Sequence, residues 1–402
     1  MRHTLVLRDV RCREMWNGIF AAMLFRTILI PGIVAALLAA PIAALAQPKG
    51  LPVVLSDSMS ADVFVDGVLD PGGWSIVPEA KPDPYSSAVH GARITFRTNR
   101  DSITVVVDST QMKDFIIQVG RKKAWTRVQY KPSFREVLRK ATRFNTADPR
   151  QVLAFTYQPA DAPELVALRT AFKLDSIAGQ GNEIARIMEV MHWLHDLVPH
   201  DGQHDNPVVR NAMSMVAECK RDHRGLNCRG LSTVLNECYL ALGFKSRFLT
   251  CLPNDSTDNE CHVINMVWSN DLKKWIWIDA THDAIVMDEN GTPLGPWEVR
   301  ERLIDGRTLI LNPDANWNHR LSSVREEYLY NYMAKNLYRF ECPAHSCHDT
   351  ETGVDGKRVE YVELLPLHHH TQKPDVVERK GGSGNTVATY RTNDPGRFWA
   401  AP

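Results

Sequence analysis

The chain has 402 residues, a formal net charge of zero at pH 7, 44% hydrophobic residues and 23% charged residues. At about 100–200 residues per domain, that length holds two or three domains with a sizeable core. A balanced charge sets up no global field toward nucleic acid or an anionic membrane, so neither is expected as a partner; peptide-like or small partners fit better.

Residues 1–46 contain an apolar run from Thr27 to Ala40, preceded by Arg26 and followed by Ala44-Leu45-Ala46. A basic flank, an apolar run and a small-x-small site form the pattern of a secretory signal. The run is short for a span of about 20 residues, and Pro31 and Gly32 interrupt it. The expectation is an exported protein, periplasmic or extracellular, with no stable membrane span once the signal is removed. Of the eight cysteines, Cys12 would leave with the signal. The remaining odd number suggests one free, reactive thiol in an oxidising compartment. If that thiol is Cys228, Cys251–Cys261 and Cys342–Cys347 are plausible short-loop pairs. Sequence leaves the connectivity open, a fully reduced set included.

Residues 47–157 read as a β-rich accessory domain. Strand-like runs recur at Val63–Val65, Ile94–Arg97, Ile103–Val107, Phe115–Val119, Trp125–Tyr130 and Val152–Tyr157. Turn signals such as Asp70-Pro71-Gly72-Gly73 and Thr98-Asn99-Arg100-Asp101 separate several of them, a spacing that suggests a sandwich. Phe134–Thr142 reads as a short helix. The period changes in residues 158–310. Asp161 is placed to cap a helix carrying Leu165, Leu168 and Phe172, and a second helix steps through Ile184, Ile187, Met188, Met191 and Leu194. A third covers Val208–Val216. A fourth opens at Cys228, buries Leu231, Val234, Leu235, Cys238 and Leu242, and stops at Gly243. Strands follow at Phe244–Leu252, His262–Trp268, Lys274–Ala280 and Ala284–Met287. Helices first and an antiparallel sheet second is an α+β order. Residues 311–402 read as a C-terminal extension packing on this core, with a helix at Val324–Phe340 and strands at Val359–Leu365 and Thr386–Tyr390.

The chemistry gathers on three residues. Thiol catalysis needs a thiolate, a base to generate it, and a group that fixes the base's tautomer. Cys228 at a helix start feels the positive end of the helix dipole, and the free amides there are ready to hold an oxyanion. A hairpin centred on Asn270-Asp271 sets His262 opposite Asp279, on one face of the sheet. That face, with Met266, Trp268, Trp275 and Trp277, is expected to pack on the Cys228 helix. Alternatives are that Cys228 pairs with Cys219, that His262 is a satisfied strand histidine, and that Asp283 or Asp258 does any orienting. Two histidine groups weigh as zinc candidates: His192, His195, His200 and His204; and Cys342, His345, Cys347 and His348 with His368–His370. Both are weaker than the thiol site, and no cofactor or metal is expected.

The stretch from about Glu183 to Asp283 resembles a bacterial transglutaminase-like domain. The resemblance rests on Asn227-Cys228-Arg229-Gly230, Gly243-Phe244-Lys245-Ser246-Arg247, Cys261-His262-Val263 and Trp275-Ile276-Trp277-Ile278-Asp279-Ala280-Thr281. It implies a papain-like α+β core, a Cys228–His262–Asp279 triad and a structural Arg247. Two departures stand out: Ala280 where proline is usual, and Asn-Cys-Arg-Gly in place of the commoner Gly-x-Cys-Gly/Ala. What the resemblance implies about activity is attack on an amide carbonyl of a peptide, protein or cell-wall peptide, through a thioester, with water or an amine as acceptor. Hydrolysis is preferred because water is in excess. Amine transfer (cross-linking) and an inactive binding module are the alternatives.

Overall fold

In a computed structural model, the described residues are 50–79, 81–258 and 260–402; the expected signal segment lies outside them. The described chain divides into two compact units at Ser133/Phe134. The break falls earlier than residue 157 because the Val152–Tyr157 run is not a sandwich strand. Its Thr156–Tyr157 end pairs with His345–Ser346, and Val152, Leu153 and Phe155 pack in a core of the second unit.

The first unit holds two four-stranded sheets. One runs Val53–Ser56, Lys113–Val119, Lys122–Tyr130, Asp83–Ser87; the other runs Val68–Ser75, Ser60–Val65, Arg93–Arg97, Ser102–Val106. Alternation drives the burial: along Ser60–Val65, residues Ala61, Val63 and Val65 point inward. They meet Ile94 and Phe96 of their own sheet and Val54, Phe115 and Ile117 of the other in one core. Asp70-Pro71-Gly72-Gly73, predicted as a turn, runs inside the Val68–Ser75 strand. That strand is a sheet edge with a register shift opposite Ala61/Val63, the setting in which a strand tolerates proline.

The second unit begins with helices. Glu183–Leu197 is capped by Asn182, whose side chain accepts the Ala185 N–H at 2.9 Å, and it buries Ile187, Val190, Met191 and Leu194. Pro163–Phe172 starts behind Ala162 with proline in its first turn and no side-chain cap, so Asp161 does not cap it. The helix predicted at Val208–Val216 spans Ala212–Asp222, because Asn211 supplies the cap. Cys228–Ala241 is the central helix, buried from Gly230 to its end.

A seven-stranded sheet follows, in the order Lys274–Ile278, His262–Ser269, Ser246–Leu252, Arg339–Pro343, Arg358–Leu364, Thr386–Thr392, Val376–Lys380. Four of the seven strands come from beyond residue 311. The C-terminal segment is therefore built into the sheet, not packed on it as an extension. The helix predicted over Val324–Phe340 is a π-helix, Glu326–Met333, then a short turn of α-helix and a strand from Arg339.

The sheet separates two cores. Val267, Ile276 and Ile278 pack on Leu231, Val234 and Leu235 of the central helix. Ile264, Met266, Trp275 and Trp277 join Val299, Leu303, Tyr328 and Leu329. The tryptophan face therefore turns away from the Cys228 helix, contrary to the expectation. Arg247 is wholly buried on that side. Its guanidinium lies 3.8 Å from the Phe155 ring centroid and 4.6 Å from that of Trp275.

The hairpin register also differs. Met266 faces Trp277 and Trp268 faces Trp275, a slip of two residues from the predicted pairing. The turn is four residues long, Asn270–Lys273, with Lys273 left-handed at φ 54°. Glu183 holds it by accepting the backbone N–H groups of Asn270 at 2.9 Å and Asp271 at 3.0 Å. An even slip keeps every side chain on its predicted face.

Candidate active site

Cys228 is the first residue of its helix, behind Asn227 in extended conformation. The Asn227 side chain caps the helix by accepting the Gly230 N–H at 3.1 Å. Asn206 braces that cap from outside. Its Nδ2 donates to Asn227 Oδ1 at 2.7 Å, and its Oδ1 accepts the Asn227 N–H at 3.2 Å. The brace passes so close that a Cβ at residue 230 would sit 2.4 Å from Asn206 Oδ1. This gives a physical reason for the Asn-Cys-Arg-Gly form of the motif. Arg229 turns the other way. Its Nε donates to Glu351 at 2.8 Å and its guanidinium lies over Phe248 and Tyr361.

His262 is the first residue of its strand, and that strand is stitched to the helix. Ser232 Oγ, one turn beyond Cys228, donates to Val263 O at 2.9 Å, and Asn265 Nδ2 donates to Ser232 O at 2.9 Å. The two starting residues, Cys228 and His262, meet where the helix and this strand both begin, and their side chains interact. His262 Nε2 is 2.7 Å from Asp279 Oδ2, which leaves Nδ1 for the thiol. With the register slipped, Asp279 is not directly opposite His262 but lies two residues along on the same face.

Asp279 is wholly buried and fully engaged. Oδ1 accepts the Thr281 N–H at 2.9 Å, and Oδ2 accepts the Tyr328 hydroxyl as well as His262. Trp277 Nε1–H in turn donates to the Tyr328 oxygen at 3.3 Å. Tyr332, four residues along the π-helix, sets its ring edge-on to His262 with centroids 5.3 Å apart. A π-helical segment at a reactive site is a recurring placement. Tyr328 and Tyr332 were not singled out from sequence, where they fall within the helix expected over Val324–Phe340.

The electrostatics follow from burial and pairing. Burial disfavours the Cys228 thiolate, yet hydrogen bonds from His200 and His262 and the His262 charge outweigh it and bring the thiol down to about 6. Burial alone would lower His262; the Asp279 charge and hydrogen bond, with Cys228, raise it to about 10. Asp279 is penalised by burial but held well below the usual carboxylate range by His262, His282 and Tyr328. These shifts favour a thiolate on Cys228, an imidazolium on His262 and a carboxylate on Asp279 near neutral pH.

The other candidates have separate positions. Asp283 accepts from His192 Nδ1 at 2.6 Å, and Asp258 pairs with Lys335 at 3.0 Å; neither bonds to His262. His195 bonds the Ala280 carbonyl at 2.9 Å and Asn316 at 3.0 Å, and His204 bonds Asp201. His192, His195, His200 and His204 thus have four different jobs. His345 bonds Thr156 while His348 lies by Glu237. Two groups of ligand-type atoms do lie within 4.8 Å of one another, His262/Asp279/His282 and His192/Asp283/Asp314; in the first, Asp279 is already spent on His262 and Tyr328. All seven cysteines from Cys219 on are free thiols, so neither short-loop disulfide is formed. Cys251 faces His262 across the sheet and Cys342 is buried beside Arg247.

A helix-then-sheet core with a cysteine opening its central helix, beside a histidine strand and an aspartate, defines a transglutaminase-like α+β domain. Residues 170–280 match the transglutaminase-like superfamily, and the chain carries a domain of that superfamily. Among solved structures it is similar to a "Putative Cysteine Protease" from Cytophaga hutchinsonii, with 16% identity and a TM-score of 0.24, over 39% of this chain and 51% of that one. It is also similar to EGTA-treated LapG of Legionella pneumophila, with 10% identity and a TM-score of 0.23, over 32% of this chain and 74% of that one. The chain thus spans about half the length of the first of these. No curated protein matches it. No helix among the described residues is long and apolar enough to cross a membrane.

Proposed function

We propose that the protein is a thiol-dependent acyl-transfer enzyme that hydrolyses peptide or isopeptide amides, with Cys228 as nucleophile, His262 as acid and base, and Asp279 as the group that orients the imidazole. The observation that carries this reading is the 2.7 Å His262–Asp279 bond beside a cysteine that opens a capped helix; the pull of His262 on the thiol agrees with it. The Cys228 thiolate attacks the amide carbonyl carbon, and the carbonyl π pair moves to oxygen. As the tetrahedral adduct collapses, the C–N bond breaks and the His262 imidazolium gives its proton to the leaving amine. The thioester is then attacked by water. Now neutral, His262 takes the water's proton, and the C–S bond breaks to release the acid and restore the thiolate. Export of the protein through the segment at 1–46 goes with this reading, and peptide, protein or cell-wall peptide substrates are the partners it implies.

The test is alkylation of the purified protein with iodoacetamide at neutral pH, mapped by mass spectrometry, alongside release of amine from a panel of peptide amides with and without added primary amine. Modification confined to Cys228, lost reactivity in His262→Ala, and amide release that needs no added amine support the proposal. An inert Cys228 sinks it, and turnover only with added amine turns it toward cross-linking. Export is checked by fractionation and the N-terminal sequence of the mature chain.

A further inference from the structure

Two histidines interact with the Cys228 thiol, and the reaction above employs one of them; the other pairs through its backbone with Leu226, two residues before Cys228. The second, His200, follows the Glu183–Leu197 helix and is clamped by the Asn316–Ser322 hairpin. Its backbone N–H donates to Asn318 Oδ1 at 2.6 Å, and Asn318 Nδ2 donates to its carbonyl at 2.8 Å. Its ring is held by the neighbouring residue: Trp317 Nε1–H donates to His200 Nδ1 at 3.3 Å. An indole nitrogen can only donate, so His200 Nδ1 must accept, and the neutral ring then carries its proton on Nε2. Nε2 is the atom left to face the Cys228 sulfur.

The tautomer separates the roles of the two rings. A nitrogen that already bears hydrogen cannot take the thiol proton, so His200 is no second base. His262 is set up oppositely, with a carboxylate rather than a donor on its far nitrogen. The Cys228 amide, at the first position of a helix, has no acceptor among the described residues. An oxygen on the carbon bonded to Sγ lies near that amide, and a donor that reaches Sγ also reaches such an oxygen.

We infer that His200 Nε2–H is the second donor to the oxyanion formed when Cys228 attacks, beside the Cys228 backbone amide, and that Trp317 is a positioning residue that fixes the tautomer. This rests on the thiol reading above. No proton moves to the oxygen: the C–S bond forms, the π pair localises on oxygen under two hydrogen bonds, and it returns as the thioester forms.

The experiment compares two reagents on the mature protein. Iodoacetamide alkylates the thiolate by displacement, with no oxyanion at the attacked carbon. p-Nitrophenyl acetate acylates it through one. Removing an oxyanion donor should lower the acylation rate, taken relative to alkylation, by about 10²–10³-fold in His200→Phe. His200→Gln, which keeps an N–H donor, should regain part of that loss. Trp317→Phe, which leaves the imidazole but frees its tautomer, should lower the ratio by about tenfold, and it decides alone if His200→Phe does not fold. If both reagents slow by one common factor in His200→Phe, His200 supports only the thiolate and the assignment is overturned while the triad stands. An unchanged ratio in Trp317→Phe removes the tautomer argument. Should wild-type Cys228 be inert to both reagents, the triad reading falls and takes this inference with it.

Discussion

The opposite shifts of Cys228 and His262 predict a pH window in which thiolate and imidazolium coexist. Cys228 is lowered to about 6, so its thiolate is present above that pH; His262 is raised to about 10, so its proton is kept below that. Alkylation of Cys228 should rise as pH passes about 6, and amide hydrolysis should hold between the two values and fall beyond them. His262→Ala removes the cation that sustains the thiolate. Returning a thiol from near 6 to near 9 should cut alkylation at pH 7 by about 100-fold. A pH–rate profile of each variant checks this. Tyr328→Phe takes one donor from the buried Asp279 while leaving the His262 and Thr281 contacts. The expected result is a loss of about 1–3 kcal/mol in stability and of roughly tenfold in kcat, read by thermal melts and single-turnover kinetics. Gly230→Ala drives a methyl into Asn206. It should cost about 1–3 kcal/mol and loosen the Asn227 cap, with Cys228 reactivity falling in step.

At the scale of elements, the site depends on two starts meeting: the first residue of a helix and the first residue of a strand. The helix start was legible in sequence from the apolar stripe that opens at Cys228; the Asn227 cap on Gly230 that fixes it came from the structure. The strands were legible from alternation. The register was not, because the turn is held by Glu183, far away in sequence, whose carboxylate takes the amides of Asn270 and Asp271. The predicted His262–Asp279 contact survived the two-residue slip because an even slip preserves the face and two side chains of this reach span the offset. Glu183→Ala should therefore destabilise the second unit by about 1–2 kcal/mol and lower its melting midpoint by about 2–6 °C. Burial raises the Glu183 carboxyl, but the turn's hydrogen bonds outweigh this and hold it below its ordinary value of 4.5. The sign is then fixed: its contribution is complete above that value and is lost as pH falls through the lower folded-state pKa. Melts at pH 7 and at acid pH should show wild type and variant converging as the medium is acidified. The Val324–Phe340 segment was misread for a similar reason. Its stripe fits a helix, but the strand from Arg339 is drawn out by pairing with Ser246–Leu252 and Arg358–Leu364.

For the molecule as a whole, the seven-stranded sheet makes residues 312–402 indispensable to the second unit. A chain ending at Leu311 loses four of those strands, and with them Tyr328 and the Trp317–Asn318 clamp. It should fail to give a cooperative melt. A chain beginning at Phe134 keeps one compact unit entire, and it should fold and alkylate at Cys228 at the wild-type rate. Circular dichroism melts and the iodoacetamide rate decide both cases. By itself the sequence determined the α+β order, the cysteine at a helix start, and the shared face of His262 and Asp279, because helical periodicity and strand alternation act between residues near in the chain. Only the tertiary structure decided the hairpin register, the tyrosine on Asp279, and the place of His200 and Trp317 beside the thiol. Those depend on hydrogen bonds between residues far apart in the chain, and no local pattern carries them.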